Sequence, residues 1–476
     1  MRSRLSRCLL AAALGAAAAA EASPVFQLDP SFGVGGVATY EWPAWMAYQW
    51  NAADGWMAPL SNGKFAVLAQ LRVGTSQSGQ LNWFDPDGSV TPPSPGSGPY
   101  TPLGIGGWNA AGLVQSADGS LTVLTSVFIG SADYDFRVNR THVDGSEGYA
   151  GCSGSFGRNY AFDLGGAGAR EDFAGALYQD AQGRQVLAGA ADAGSGNYRL
   201  VATRLSPQCA EEPGFGSNGR SVVDLGAKQV RVHVIQEDQQ HRLLIGGGMT
   251  TGSGSNPDGR CFVARLRENG QLDGDFASGV FSGGGVVKID NFSNSGGNWR
   301  CDVSGLAVDS AGRIYASGVW RTNDNGSTAT RDFLIRLKGD GSRDDAFNAN
   351  ALIPYGYANT ERSGGGLVLL ESDGVAVSAY SETINGATTA RPSLAVYRTS
   401  DGNYDQAGTV SLGAPSGFDA SAAIHRIVPA GPDLFYVVAT SGPDYLNHHK
   451  VHLLRYRRTS TIPTEPIDRL FANGFQ

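Results

Sequence analysis

Of the 476 residues, only four are methionine and five are cysteine. No CxxC pair occurs, so no sequence-local zinc site is encoded. The pentapeptide G-x-S-x-G of a strand-turn-helix nucleophile is missing; GCSGS at 151–155 departs from it at the last position. Neither a phosphate-cradling G-x-x-x-x-G-K-[ST] nor an H-E-x-x-H zinc helix is found. Basic residues form no stripe, and Lys plus Arg (36) are outnumbered by Asp plus Glu (44). Nucleic acid is therefore not an expected partner, because phosphate neutralisation needs clustered cations. Long stretches of helical periodicity with caps are also lacking, which argues against α/β classes.

What is abundant is glycine, at 67 residues, about twice ordinary usage of ~7%. Without a triplet period this means many tight turns. Hydrophobic residues make up 41% and charged residues 17%, the balance of a folded, turn-rich chain.

The two ends differ from the rest. Arg2, Arg4 and Arg7 precede the apolar run CLLAAALGAAAAA, and AEA ends at Ala22. These are the three parts of a secretory signal, expected over residues 1–22. The apolar run is too short for a transmembrane helix, and no later segment is long enough. The expectation is an exported protein, periplasmic, cell-surface or secreted, and not membrane-spanning. Residues 461–476, TIPTEPIDRLFANGFQ, read as an extended tail after the folded region 23–460.

Removal of the leader leaves Cys152, Cys209, Cys261 and Cys301. An even number in an exported chain points to disulfides, with three connectivities open. Cys152 and Cys209 stand at similar places in consecutive units, so Cys152–Cys209 with Cys261–Cys301 is the expected pairing.

The units are the main signal. An apolar run, a turn and a second apolar run recur as MAPLSNGKFAVLA, LVQSADGSLTVLT, LYQDAQGRQVLAG, VIQEDQQHRLLIG, LAVDSAGRIYASG, LVLLESDGVAVSA and IVPAGPDLFYVVA. Their turns, at Gly63, Gly119, Gly183, Gln240, Gly312, Gly374 and Pro432, are 56 to 72 residues apart. Each is a predicted hairpin. A third strand follows, as in FVARLRENG or FLIRLKGDG. A Phe-Gly element then leads into a β-branched run, as in GFGSNGRSVVDLG. Four antiparallel strands per unit, in about seven units that cannot bury both faces alone, predict an all-β β-propeller of seven four-stranded blades. After the expected leader comes FQLDPSFGVGGVATY, the last phrase of a unit, and the final unit lacks that phrase. The N-terminal strand, near Val34–Tyr40, is therefore expected to complete the last blade and leave no open edge.

These phrases resemble the delta-60 repeat family of β-propellers, through LDPSFGVGGVATY and the succession LAVDSAGRIYASG, FLIRLKGDGSRDDAF at 306–347. The resemblance implies a propeller and carries no catalytic motif.

Candidate functional residues are few. Six of the eight tryptophans precede residue 110; Trp45 and Trp56 are the candidate binding surface, set against the commoner role of filling gaps between sheets. Asp172, His233, Asp302 and His425 lie near the starts of their units and are the candidates for the channel rim. No catalytic, cofactor or metal residues are assigned. The histidines of NHHKVH (His448, His449, His452) fall on opposite sides of a strand. FDPDGS (84–89) and TNDNGS (322–327) only hint at calcium, and Asp-Gly turns of this kind are mostly structural. The reading is an exported, monomeric binding or structural module for a protein or glycan. The alternative is a propeller hydrolase, lactonase or lyase acting on a carbohydrate-like substrate.

Overall fold

The computed structural model describes residues 25–42, 47–48, 55–73, 76–91, 100–103, 107–116, 118–130, 133–142, 152, 157–166, 170–180, 182–252, 258–278, 284–289, 298–324, 327–347, 360–370, 374–384, 390–402, 404–411, 417–431, 433–443 and 449–459. The expected leader and tail, Trp45 and His448 lie outside them.

The repeat folds into seven antiparallel blades, each counted from the axis outward. Blade 1 runs Gly55–Pro59, Phe65–Val73, Ser76–Phe84, Tyr100–Leu103, with Ala47–Tyr48 also pairing on Phe65–Val73. Blade 2 is Gly107–Gln115, Leu121–Gly130, Asp133–Thr141, Arg158–Tyr160. Blade 3 is Asp172–Gln179, Gln185–Asp192, Tyr198–Leu205, Arg220–Ala227, and blade 4 is Gln229–Glu237, Leu243–Thr250, Gly259–Leu266, Val286–Ile289. Blade 5 has Asn298–Val308, Ile314–Asp324 and Ser327–Leu337 among the described residues; blade 6 is Thr360–Leu370, Val375–Ile384, Ala390–Arg398, Tyr404–Ser411. Blade 7 is Ser421–Gly431, Leu434–Gly442 and Lys450–Thr459.

Blade 7 takes its outermost strand from the start of the chain. Val37–Glu41 pairs with Lys450–Thr459 from Val37 opposite Leu454 to Glu41 opposite Lys450, and Val25–Leu28 extends the same edge. The seven inner strands pack side by side in one circuit, with that of blade 7 against that of blade 1. The ring is closed.

The second strand of each blade is sandwiched. Every residue of Leu243–Thr250 is buried, as expected for a strand covered on both faces by neighbouring sheets. Burial of these continuous apolar strands, at ~25 cal/mol per Å², drives blade stacking.

The recurrent Phe and Arg of the sequence phrases tie blades 3, 4, 5 and 7 each to the next. Arg204, on the third strand of blade 3, lies over Phe215, binds Glu212 at 2.6 Å and donates to the carbonyl of Glu268 in blade 4. Arg265 does the same with Phe276, Asp273 and the Gly339 carbonyl of blade 5. Arg336 uses Phe347, Asp344 and the Thr399 carbonyl of blade 6. Arg455 uses Phe32, Asp29 and the Pro86 carbonyl of blade 1, and so fastens the closure. A Cβ on Gly270, in the turn of blade 4, would come within 2.8 Å of the Phe215 ring of blade 3. Its φ of 79° also suits glycine. The turn glycines therefore make room for the preceding blade's phenylalanine.

Both disulfides also cross between blades. Cys152–Cys209 joins the outer part of blade 2 to blade 3, and Cys261–Cys301 joins blade 4 to blade 5. Such bonds persist in oxidising compartments outside the cytoplasm. No helix of the described residues is long and apolar enough to cross a membrane.

Candidate site in the central channel

The inner strands of blades 2 to 7 each carry a β-bulge at nearly the same place, whereas that of blade 1 pairs without a register shift. The register slips at Ala111 in blade 2, Gly175 in blade 3, His233 in blade 4, Ser304 in blade 5, Gly365 in blade 6 and His425 in blade 7. A bulge bends the strand and re-aims the next residue. That next residue is Gly112, Ala176, Val234, Gly305 or Gly366 in five blades. A Cβ on Gly112 would sit 2.2 Å from Cβ of Leu177, and one on Gly305 would sit 2.6 Å from that of Leu367. Small residues here let adjacent inner strands close up near the axis.

Two blades break this rule. Blade 7 has Arg426 after its bulge. Blade 1 has Trp56 three residues before the end of its inner strand, the place of Gly112 in blade 2. The two meet: the Arg426 guanidinium carbon lies 3.5 Å from the centre of the Trp56 ring. Both line a cavity of about 260 Å³ on the axis. Every blade contributes to its wall, with Met57, Leu113, Leu177, Ile235, Leu306 and Ile427 supplying apolar surface. Tyr178, Gln236 and Ser304 add polar groups.

Arg426 has no carboxylate partner among the described residues, and its one described hydrogen bond is a long one, 3.4 Å, to the carbonyl of His233. Burial alone lowers its pKa to about 9. The Trp56 indole N–H has no acceptor among the described residues.

Next to His233 is a second charged group. His233 Nε2 lies 3.2 Å from Asp302, which also pairs with Arg231 at 2.9 Å and Arg300 at 2.5 Å. Burial works to raise the Asp302 pKa, but Arg300 and Arg231, with the His233 hydrogen bond, hold it well below the ordinary carboxylate range. One nitrogen of Arg231 (Nη2) is buried with no hydrogen-bond partner among the described residues.

Of the four rim candidates, then, His233 and Asp302 come together, and Asp172 and His425 stay apart from them. His425 is buried at its bulge and bonds Thr440 of its own blade at 2.8 Å. Asp172 is buried between blades 2 and 3, where it accepts from the backbone N–H of Phe162 at 2.5 Å and of Asp163 at 3.3 Å. Burial raises its pKa to about 7. No group of three or more His, Cys, Asp or Glu side chains with metal-binding geometry occurs among the described residues.

The other candidates have structural surroundings. Trp42 and Trp83 are buried in the core. In FDPDGS, Asp85 takes Lys64 and Thr91, and Asp87 takes Ser89. His452 is buried between Thr39 and Ser441, whereas His449 lies 3.5 Å from both Glu41 and Asp419.

Sequence reasoning singled out Trp56 and missed Arg426. The signal was present, since lining up the seven phrases puts Arg426 against glycine, alanine or valine.

A closed ring of seven blades around one axial cavity defines an all-β, seven-bladed propeller. No protein-family model matches the chain, and no curated protein matches it. Among solved structures it is similar to the polysaccharide lyase Uly1, with TM-score 0.49, 10% identity, and coverage of 83% of this chain and 88% of that one. It is also similar to the PQQ-bound aldose sugar dehydrogenase of Streptomyces coelicolor (TM-score 0.36, 12% identity, 88% and 98% covered). A protein of unknown function from Dyadobacter fermentans matches at TM-score 0.39 and 9% identity, with 90% and 100% covered. At such identities the likeness concerns the fold alone.

Proposed function

We propose that this chain is an exported binding module, of the delta-60 repeat type, that takes a small ligand in its central channel. One observation carries the reading. At the level where five blades place Gly, Ala or Val, Trp56 and Arg426 project into a cavity lined by all seven. An aromatic face beside polar donors in a concave, mostly apolar site is the usual composition of a small-molecule pocket. At about 260 Å³ the cavity is slightly below the ~300–1,000 Å³ typical of drug-sized sites. It suits a single small molecule or the end group of a glycan.

Ligand-observed NMR with a library of mono- and disaccharides and small acids tests this. Transfer of saturation to at least one compound, lost in Trp56→Ala, is the expected result. Binding that is unchanged in Trp56→Ala would remove the channel from consideration.

The contact between His233 and Asp302 is the one feature that favours the enzymatic alternative, a hydrolase, lactonase or lyase acting on a carbohydrate-like substrate. Its test is turnover of such substrates by the protein and by His233→Ala. Turnover abolished in the variant would support catalysis; no turnover in either would set it aside.

A further inference from the structure

We infer that the channel site recognises a carboxylate, with Arg426 as its anchor. This rests on the reading of the channel as a ligand site and names the class of ligand.

The argument starts from donors and acceptors. Arg426 carries five N–H donors in a planar fork, and its one described hydrogen bond is the 3.4 Å contact to the His233 carbonyl. The Trp56 indole N–H also lacks an acceptor among the described residues. A cation inside an apolar wall is costly unless something compensates it. Stacking on Trp56 supplies part of that compensation through cation–π attraction. It covers one face of the guanidinium and leaves the edges, where bidentate hydrogen bonds form.

The charge count selects a monoanion. Arg231 and Arg300, the cations next along from His233, are directed at Asp302. Arg426 is left as the one cation lining the cavity among the described residues. A phosphate dianion would need a second. A carboxylate needs one fork, and the wall around Leu113 and Ile235 suits the apolar side of a sugar ring or a short acid.

The experiment is calorimetric titration of the full chain with D-glucuronate, acetate, D-glucose and inorganic phosphate at matched ionic strength. In parallel, phenylglyoxal labelling of Arg426 is followed by peptide mass spectrometry. D-glucuronate is expected to bind at least about tenfold more tightly than D-glucose, as charge-assisted hydrogen bonds imply. Both carboxylates should slow the labelling of Arg426 in the unmodified protein, a readout that needs no variant. Arg426→Gln should reduce glucuronate to the level of glucose, and Arg426→Lys should fall between.

If glucose binds as well as glucuronate and depends on Trp56 but not Arg426, the carboxylate inference fails while the channel reading survives. Preference for phosphate would overturn it as well. If no probe gives heat and none protects Arg426, the inference fails, and together with a blank saccharide and acid screen this would remove the channel reading too.

Discussion

The guanidinium of Arg426 lies on the indole of Trp56, 3.5 Å from ring centre to Cζ, and joins the last blade to the first at the seam where the propeller closes. The pair is made by the two positions where the inner-strand repeat departs from small residues. Elsewhere the neighbouring inner strand crowds the equivalent glycine, as Leu177 does Gly112; here two large side chains stack at the point where the ring closes.

The stack should be measurable as a coupling energy. In a double-mutant cycle with Trp56→Leu and Arg426→Met, urea unfolding should give about 0.5–2 kcal/mol of interaction. Additive single effects would mean that the two side chains merely fill the same space.

The inter-blade arginines should matter more than surface pairs. Arg265→Ala leaves the buried Asp273 carboxylate without its main partner, and breaking a buried pair costs about 3–5 kcal/mol. Arg398→Ala removes an exposed pair with Asp401 and should cost at most ~1 kcal/mol. Chemical denaturation of the two variants side by side checks the ordering, and equal losses would refute it.

The disulfides close loops of 57 and 40 residues in sequence separation. In the chain-entropy model each contributes about 4 kcal/mol. Reduction with dithiothreitol should lower the melting temperature, and each double Cys→Ala variant should account for part of the drop. A melting temperature indifferent to reductant would contradict this.

Acidity should favour one corner of the fold. Burial raises Asp172 to about 7 and Asp135 to about 6, from 3.8. Between these values the folded state holds protons that the unfolded chain has released. The contribution is therefore fully present below about pH 4 and is lost as pH rises through 6 to 7, with an upper limit for Asp172 of roughly 4 kcal/mol. Asp172→Asn keeps a neutral side chain at all pH. Its stability relative to the parent should rise between pH 4 and pH 8, as followed by thermal melts. A constant difference across that range would show that Asp172 is ionised in the fold.

The ring closure gives a fifth expectation. Deleting residues 25–41 removes the outer strands of blade 7 and bares the edge of Lys450–Thr459. Exposed edges pair with other chains, so the truncated protein should aggregate in light scattering, whereas a soluble monomer would mean that closure depends on other contacts.

Much of this architecture was legible in the sequence. Hairpin phrases such as LAVDSAGRIYASG encode alternating burial directly, and the surplus LDPSFGVGGVATY announced the shared blade. The pairing of Cys152 with Cys209 followed from similar places in consecutive units, and that of Cys261 with Cys301 from flanking strands of successive units. The site was less legible. Asp172, His233, Asp302 and His425 lie at similar sequence offsets, but His233 and His425 sit on bulges, and only His233 reaches Asp302. A one-residue bulge changes which way a side chain points, and periodicity alone does not locate it. Arg426 looked like one more arginine in HRIVPAG. Its isolation is a property of the three-dimensional neighbourhood, since charge pairing depends on which blades face each other.

By itself the sequence determined the strands, the turns, a count of about seven units and the strand that completes the ring; closure of the ring decided the count as seven. These depend on local alternation and on turn chemistry, which act over a few residues. Tertiary structure alone decided that the Arg of one phrase clasps the Phe of its own blade and the turn of the next. It also decided that the seven inner strands enclose an axial cavity, and that Trp56 and Arg426, 370 positions apart in the chain, stack within it. Closing seven blades on one axis creates those contacts, because only closure brings the first and last units side by side.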